Sequence, residues 1–570
     1  MSDKTPTYHD GGVQRFSRTD GLAEAETGGP DVSNGPGAAP RGETIARVLP
    51  DEEESGNGTV RVSVAAEGLA QFRRDLYVRI VDGDQNVAFL GRVVEGPYHR
   101  PPSSANGASR YWVVGIVELM GEIEDGARLK PTAVRPRPDS AVEVFSAGAL
   151  QALLGIEGDL YLGRLIGGEA VGVRMQSSDK NFLPRNVGVF GTVGSGKSNT
   201  MQVLMEEALQ AGWAVVTIDV EGEYVRMGDP TDERRMIELL ASEHSLAPKG
   251  VDDYHVYVPA AAHTDAASPL RFKVPISAMQ REIVADILNF SEGQVRMFEA
   301  ATKQASSRNE YLQRQDGRRR AAEDTSRVQR PYTLQDLIDG LQESNQSVPL
   351  IPRIRPEDLP TAASLRAKLT HLGRSNVLDW NATEDVVELP VDDLLFAGRL
   401  SVLDISETDD RSRNIAIAYT LQALFERIVQ LPVGARMPDG GVRPPLLVVV
   451  EEVHTFVSRA TVHRMRAVLD NLQVISRRGR KRWMALALIS QQPNHVPDEL
   501  FELANTRFVH QMKSASNLDT LKTTTGGVHD ELWSTVSTLG PGECLFSSSS
   551  LPNALLLSAR PAQSRRAFSR

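Results

Sequence analysis

Residues 186–200 read Asn-Val-Gly-Val-Phe-Gly-Thr-Val-Gly-Ser-Gly-Lys-Ser-Asn-Thr, an apolar run leading straight into a glycine-rich loop. Gly191, Gly196, Lys197 and Ser198 fill the pattern G-x-x-x-x-G-K-[ST]. That pattern demands a buried strand, here Val187–Phe190, a loop, and a helix over about Ser198–Ala211. It also names a ligand. Glycines let backbone N–H groups wrap a phosphate, Lys197 brings a cation to the outer phosphates, and Ser198 can hold Mg²⁺. The helix aims its positive end at the same charge. Gly191, Thr192, Val193, Gly194, Ser195, Gly196, Lys197, Ser198 and Asn199 are the candidate nucleotide-binding residues, with ATP and Mg²⁺ as the expected cofactors.

A chain of 570 residues has room for two to four domains of about 150 residues each. Its single cysteine, Cys544, excludes an internal disulfide framework and a cysteine-based zinc site within one chain, which fits a reducing cytosol. The sequence shows neither an apolar stretch of membrane-spanning length nor an apolar signal core at Met-Ser-Asp-Lys-Thr-Pro, so the expectation is a soluble, cytoplasmic protein with no membrane partner. The net charge of −11 argues against a nucleic-acid coat, but local charge, not net charge, sets phosphate contacts.

Composition divides the chain. Residues 1–44, rich in Gly, Pro, Ser, Thr and Asp, are expected to be a disordered tail. Residues 45–148 read as short strands in a small β-barrel: Val60–Ala65, Leu76–Val81, Val87–Val94, Tyr111–Val117, Ala133–Arg137 and Ala141–Phe145. Asp82-Gly83 marks a hairpin, and Pro101–Ala108 is expected to be disordered. From 149 to 276 and again from 376 to 562 strands and helices alternate, the α/β pattern of a mostly parallel sheet. The strands expected there are Val187–Phe190, Ala214–Asp219, His255–Val258, Leu400–Ile405, Leu446–Val450, Met484–Ser490 and Arg507–Gln511. Residues 277–375 interrupt the alternation as a helical insertion, with a capping box at Thr333-x-x-Asp336; residues 563–570 read as a C-terminal tail.

The run Leu446–Val450 ends in Glu451 and Glu452. Adjacent acids at the tip of a buried strand cost several kcal/mol unless a cation or hydrogen bonds compensate. Beside a phosphate loop they have work: Glu451 to help hold Mg²⁺ through water, Glu452 to orient and deprotonate the attacking water. His454 fits either strand-end polarity or a role near the site. A second apolar strand ends in Gln491, placed to sense the terminal phosphate. Asp219-Val-Glu-Gly222 matches the D-x-x-G of GTPases, but no N-K-x-D guanine-reading motif is present. Asp219 is expected near the nucleotide or as a cap on the next segment. Ser476–Trp483 carries five positive charges in eight residues. Either this is a solvated helix end, or one arginine crosses a subunit interface to a neighbour's phosphoryl group. Gly479 fits a helix C′ position that would end the helix and project Arg480.

These motifs together resemble the HerA family of hexameric ATP-driven DNA translocases. The matching residues are the barrel, Gly191–Ser198, Ile218-Asp-Val-Glu-Gly-Glu-Tyr224, Val450-Glu-Glu-Val-His454, Arg477-Arg-Gly-Arg-Lys481 with Ile489-Ser-Gln-Gln-Pro493, and Leu539-Gly-Pro-Gly-Glu-Cys544. Where the family often reads Asp-Pro-His-Gly-Glu-Tyr, Val220-Glu221 replaces Pro-His. The resemblance implies a RecA-like P-loop ATPase core with an inserted helical bundle, a barrel on one face of a six-membered ring, and ATP sites between subunits. It implies Glu452 as catalytic glutamate, Glu451 as the preceding acid and metal residue, and Gln491 as sensor. It also implies Arg480 acting in trans and Arg185 as a basic position near the nucleotide. The expected activity is ATP-driven translocation or unwinding of double-stranded DNA by a homohexamer. A separate nuclease or effector is the expected partner, in DNA end processing and repair or in antiviral defence. Arg226 with the 220–230 loop, or the arginines of 314–330, are candidates to grip DNA. Alternatives are a conjugation-type or chromosome-segregation translocase, a ring scaffold that assembles a nuclease or defence effector, and a protein remodeller.

Overall fold

The computed structural model describes residues 43–50, 58–100, 111–126, 128–317, 331–341, 354–374, 377–379, 387–438, 440–463 and 465–567. Expectations for 1–42, 51–57, 101–110 and the arginine side chains of 314–330 lie outside those residues.

The first sheet holds β1 (Thr44–Val48), β2 (Thr59–Val64), β3 (Tyr77–Asp82), β4 (Val87–Arg100), β5 (Trp112–Glu124), β6 (Arg128–Lys130) and β7 (Ala141–Val144). Six of these strands close into an antiparallel barrel, β1–β2–β5–β4–β3–β7 and back to β1, with β6 added beside β5. Ile45, Val62, Val78, Ile80, Phe89, Val93, Val117 and Val142 fill its interior. The Asp82-Gly83 signal marks the β3–β4 hairpin, in which Asp82 pairs Val87. Two expectations change here. The barrel begins at Thr44, so the tail cannot extend that far. Ala133–Arg137 is a loop, because Pro131, Pro136 and Pro138 remove donors and the N–H groups of Ala133 and Val134 turn to Glu122 Oε1, at 2.6 and 3.1 Å.

The second sheet holds β8 (Leu160–Leu165), β9 (Gly168–Met175), β10 (Val187–Phe190), β11 (Ala214–Asp219), β12 (Asp253–Pro259), β13 (Leu270–Phe272), β14 (Arg399–Asp404), β15 (Leu446–Val450), β16 (Met484–Ser490), β17 (Thr506–His510), β18 (Glu543–Ser547) and β19 (Leu555–Ala559). Their order is β13-β12-β14-β11-β15-β16-β10-β17-β18-β19-β8-β9. Neighbours from β13 to β17 are parallel, and those from β17 onward are antiparallel. The central parallel strands β10, β15 and β16 are buried along their whole length because both faces are covered. Leu446, Val448 and Val450 of β15 enter one core, and Leu447 and Val449 the other.

The helices are α1 (Ala147–Leu154), α2 (Lys197–Gln210), α3 (Arg234–His244), α4 (Arg281–Ile287), α5 (Glu292–Gly317), α6 (Leu334–Gly340), α7 (Leu359–Gly373), α8 (Asp410–Gln430), α9 (Val453–Phe456) and α10 (Arg466–Gly479), followed by three short ones. Between β13 and β14 the chain forms α4–α7, which bury Ile283, Phe298, Leu337 and Leu365 against one sheet face. Thr333 and Asp336 form the expected capping box at α6. Among the described residues, no helix is long and apolar enough to cross a membrane.

Gly479 is a further correction. Its φ is −60°, inside the right-handed helix, and the chain continues through a 3₁₀ turn, Arg480–Arg482, to a left-handed Trp483. Glycine is needed at 479 for space, since a Cβ would lie 2.8 Å from the Met484 carbonyl oxygen. Nor is 563–567 a tail. Ser564 is buried and accepts a 2.9 Å hydrogen bond from Gln202 of α2 on its carbonyl oxygen.

Barrel and core meet in a charged join. Arg92, 1% exposed, lies 3.0 Å from Asp75 and 2.9 Å from Glu118. Glu118 in turn lies 3.2 Å from His529 Nδ1 of the core. At Gly167 the backbones touch, since a Cβ there would sit 1.8 Å from the Asp75 carbonyl oxygen. Replacing Arg92 with Met takes the guanidinium from Asp75 and from buried Glu118 and should cost about 3–5 kcal/mol, read as a lower unfolding midpoint. The hydrogen bond to Glu118 holds the His529 imidazole above its ordinary 6.5. Because the folded value is raised, the stabilisation is complete below pH 6.5 and is lost as pH rises through the folded value. The melting difference between wild type and His529→Gln should therefore be largest below pH 6.5 and shrink above it.

Candidate functional site

The phosphate loop leaves the tip of β10 and enters α2. Gly194 and Gly196 adopt φ of 75° and 110°, which favour glycine. At Gly196 a Cβ would also meet Gly542 N at 2.7 Å, because the 540–543 turn backs the loop. Thr192 accepts on its carbonyl from Lys197 Nζ at 3.0 Å and from Ser195 Oγ at 2.7 Å. Val193 at the apex is 80% exposed, so it offers backbone rather than side chain. Burial pulls the Lys197 ammonium below its ordinary value, against the carboxylates of Glu452, Glu223, Glu221 and Glu451, which push it up.

The Asn199 side chain faces away from the loop toward the C-terminal segment. Its amide nitrogen donates to the Arg560 carbonyl at 2.8 Å and its amide oxygen accepts from Ala562 N at 2.9 Å. Both polar groups are thus spent on the C-terminal segment.

β16 lies between β10 and β15, with Phe190 opposite Ser490 and Val450 opposite Leu488. Gln491 therefore emerges between the phosphate loop and the two glutamates. Glu452 takes a left-handed conformation, φ 41° and ψ 49°, which costs a non-glycine residue about 1–2 kcal/mol. That turn breaks the side-chain alternation of a strand and separates the environments of the two acids. Glu452 Oε1 accepts from Gln491 Nε2 at 2.6 Å, and Oε2 lies 3.1 Å from His454 Nδ1. Burial pushes the Glu452 carboxyl up, but hydrogen bonds from His454 and Gln491 and the charge of Lys197 together leave it below its ordinary value. It is an ionised, oriented carboxylate at neutral pH. His454, undecided from sequence, belongs to this group.

Glu451 behaves oppositely. Burial first, then the charges of Asp219 and Glu223, push its carboxyl well above the ordinary range. Its Oε2 is buried without a hydrogen-bond partner among the described residues. Asp219 is also raised, by burial and then by neighbours including Asp404, although it accepts from the N–H groups of Gly222, Glu223 and Tyr224 at 2.7, 3.1 and 2.9 Å. It caps the following segment, one of its two expected roles. A divalent cation fits here: it would supply the charge that Glu451 lacks.

His510 was not singled out by sequence. It ends β17 directly behind the loop, and a Cβ on Gly191 would lie 2.7 Å from its own Cβ. Burial and the Lys197 charge press the imidazole down to about 3, so it stays neutral. A lone histidine at the end of Thr506-Arg-Phe-Val-His510 carries no signal that would have found it.

Arg480 and Arg185 lie elsewhere. Arg185 precedes β10 and Arg480 precedes β16, whereas the loop and Gln491 follow those strands. At about 3.3 Å rise per residue, the length of β16 separates the two edges by about 20 Å. Arg185 is therefore remote from its own chain's phosphate loop, and Arg480 Nη2 donates to Asn181 Oδ1 at 3.1 Å on that far edge. Arg226 sits half-buried in the turn after β11, and Asp229 N donates to its carbonyl.

Residues 160–424 match the family model described as the central domain of helicase HerA. The chain is 21% identical over 470 residues to the DNA double-strand break repair helicase HerA of Pyrococcus furiosus, covering 76% of this chain and 75% of that protein. It is 22% identical over 446 residues to the probable DNA double-strand break repair helicase HerA of Methanocaldococcus jannaschii, covering 76% and 82%. Among solved structures, VirB4 of Thermoanaerobacter pseudethanolicus is similar over 70% of this chain and 96% of that chain, at 14% identity and a TM-score of 0.45. Residues 160–424 thus match the central domain of helicase HerA, and the chain is a P-loop ATPase that is similar to the HerA helicases over about three quarters of its length.

Proposed function

We propose that this chain is the subunit of a homohexameric ring that hydrolyses ATP to drive double-stranded DNA through its centre. The observation that carries the reading is the placement of two half-sites on opposite edges of one sheet. Lys197, Glu451, Glu452 and Gln491 gather at the strand tips, and Arg480 and Arg185 lie about 20 Å away. A head-to-tail neighbour would bring one half to the other, and such an interface gives a ring when its rotation closes. The relatives' printed names, DNA repair helicases, supply the substrate.

In this reading the loop amides of 191–198 and Lys197 hold the phosphates of ATP. Ser198 and Glu451 would hold Mg²⁺, which supplies charge neutralisation at the phosphates. Glu452 accepts a proton from water as the water oxygen bonds to the terminal phosphorus and the bond to the bridging oxygen breaks. Gln491 and His454 fix the carboxylate in its ionised form. Arg480 of the adjacent subunit stabilises the charge of the transferring group, with Arg185 beside it on the same edge. We extend the reading to a separate nuclease or effector partner in DNA end processing or phage defence; the repair role in the relatives' names favours end processing.

Replacing Glu452 with Gln should lower turnover on the order of 10²–10⁴-fold while leaving nucleotide affinity near wild type. Wild-type turnover in that variant would remove the assignment. ATP hydrolysis should rise on adding linear duplex DNA, and the stimulation should weaken steeply with salt, as phosphate-backbone binding does. Native mass should read six chains. Turnover indifferent to DNA would point to the scaffold instead.

A further inference from the structure

Arg443 lies just ahead of β15, on the edge that carries Arg480 and Arg185, and is 1% exposed. Its Nη1 donates to the Arg482 carbonyl at 2.7 Å, at the end of the 3₁₀ turn Arg480–Arg482. Its Nε and Nη2 are buried with no hydrogen-bond partner among the described residues. Burial alone pulls the guanidinium down to about 10, with no carboxylate acting on it among those residues. An unpaired buried cation costs several kcal/mol, so a neutral side chain of similar volume would pack there at less cost. What the guanidinium supplies is a donor for a helix-end carbonyl, one of the groups that a helix leaves unsatisfied.

The strut is stiff at both ends. Arg443 N donates to Ala435 O at 2.9 Å, and Gly434 N donates to Arg443 O at 3.0 Å. Beyond the turn, the Trp483 carbonyl accepts from Leu446 N at 2.8 Å, and its ring packs edge-on against Trp213, centroids 6.0 Å apart. The turn is thereby held between β15 and the Trp213 ring, and Arg480 projects from it.

We propose that Arg443 is a positioning residue of the ATP site shared with the neighbouring subunit. By capping Arg482 it fixes the 480–482 turn, and through it the reach of Arg480 toward the neighbour's nucleotide. This inference rests on the shared-site reading above. A displacement of about 1 Å in such a group costs on the order of 10²-fold in rate.

The test uses the full-length protein. Arg443→Met removes the donor and the charge but keeps most of the volume; it should lower turnover on the order of 10²-fold with nucleotide affinity and native mass unchanged. Arg443→Lys, which can still donate to the Arg482 carbonyl, should recover part of the loss. The decisive measurement mixes Arg443→Met with Glu452→Gln. Each alone turns over far more slowly than wild type, yet the Glu452→Gln subunit offers an intact turn to the intact loop of its Arg443→Met neighbour. Since each head-to-tail interface takes its halves from two chains, about a quarter of interfaces in an equimolar mixture are whole, and turnover should reappear. Arg480→Ala mixed with Glu452→Gln is the control. If the control regains turnover and the Arg443→Met mixture does not, the inference is wrong and the shared site stands. If neither regains it, the shared-site reading falls and takes the inference with it. Loss of nucleotide binding or of the hexamer in both Arg443 variants would make Arg443 a packing residue and also overturn the inference.

Discussion

Every strand from β13 to β17 runs the same way, and that polarity governs the molecule. Loops that follow the strands collect on one edge and loops that precede them on the other, so a single chain cannot fold the two sets together. The phosphate loop, the glutamate pair and Gln491 share the first edge. Arg185, Arg443 and the 480–482 turn share the second. A bundle or an antiparallel sheet could have interleaved these groups. A parallel sheet separates them by its own width and makes association the simplest way to complete a site.

On the loop edge, the two adjacent glutamates are driven apart in character by about one residue's worth of backbone. A strand that simply continued would send them to opposite faces. The left-handed turn at Glu452 instead swings its carboxylate to Gln491 and His454, whose hydrogen bonds offset the cost of the turn and of burial. Glu451 stays in the dry strand tip beside Asp219, where ionisation is disfavoured until a cation arrives. Strain at Glu452 and an orphaned oxygen on Glu451 are thus two outcomes of the same local geometry. In the proposed reading they separate a base from a cation holder without a change of residue type.

Features with strong local chemistry were legible in the sequence. The loop at 191–198, the acidic tip after Leu446–Val450 and the glutamine after Met484–Ser490 each join an apolar strand to polar groups that a buried strand end does not otherwise need. The order β10-β16-β15, which brings Gln491 between the other two, is a property of pairing and could not be read from the chain. The antiparallel strands β8, β9, β18 and β19 went unread, although at five to eight residues they are at least as long as β10 and β15. Residues 133–137 alternate like a strand, yet their donors are captured by Glu122, a contact between segments remote in sequence. Gly479 resembled a cap by composition, but close approach to Met484, not backbone handedness, demands the glycine. Asn199 lies in the motif by position and serves the C-terminal segment by contact. Arg443 and His510 act through what surrounds them, and neither has a local pattern.

The Asn199 contact belongs to a larger clamp. Helix α2 carries Glu206 and Glu207, both buried, and two neighbouring buried acids would be untenable alone. Arg560, fully buried, lies 2.9 Å from Glu206 and 2.8 Å from Glu207, and the backbone N–H groups of Ser564 and Tyr161 donate to the same two carboxylates at 2.8 and 2.7 Å. The helix that starts at the phosphate loop is therefore tied to β19, to β8 and to the segment after β19 by charge-assisted hydrogen bonds in a dry setting. β8 and β19 belong to the antiparallel flank of the sheet, so the rear of the loop is anchored to that flank. Displacing α2 from these strands would break buried charge-assisted hydrogen bonds, so the α2 side of the loop is held to the antiparallel flank.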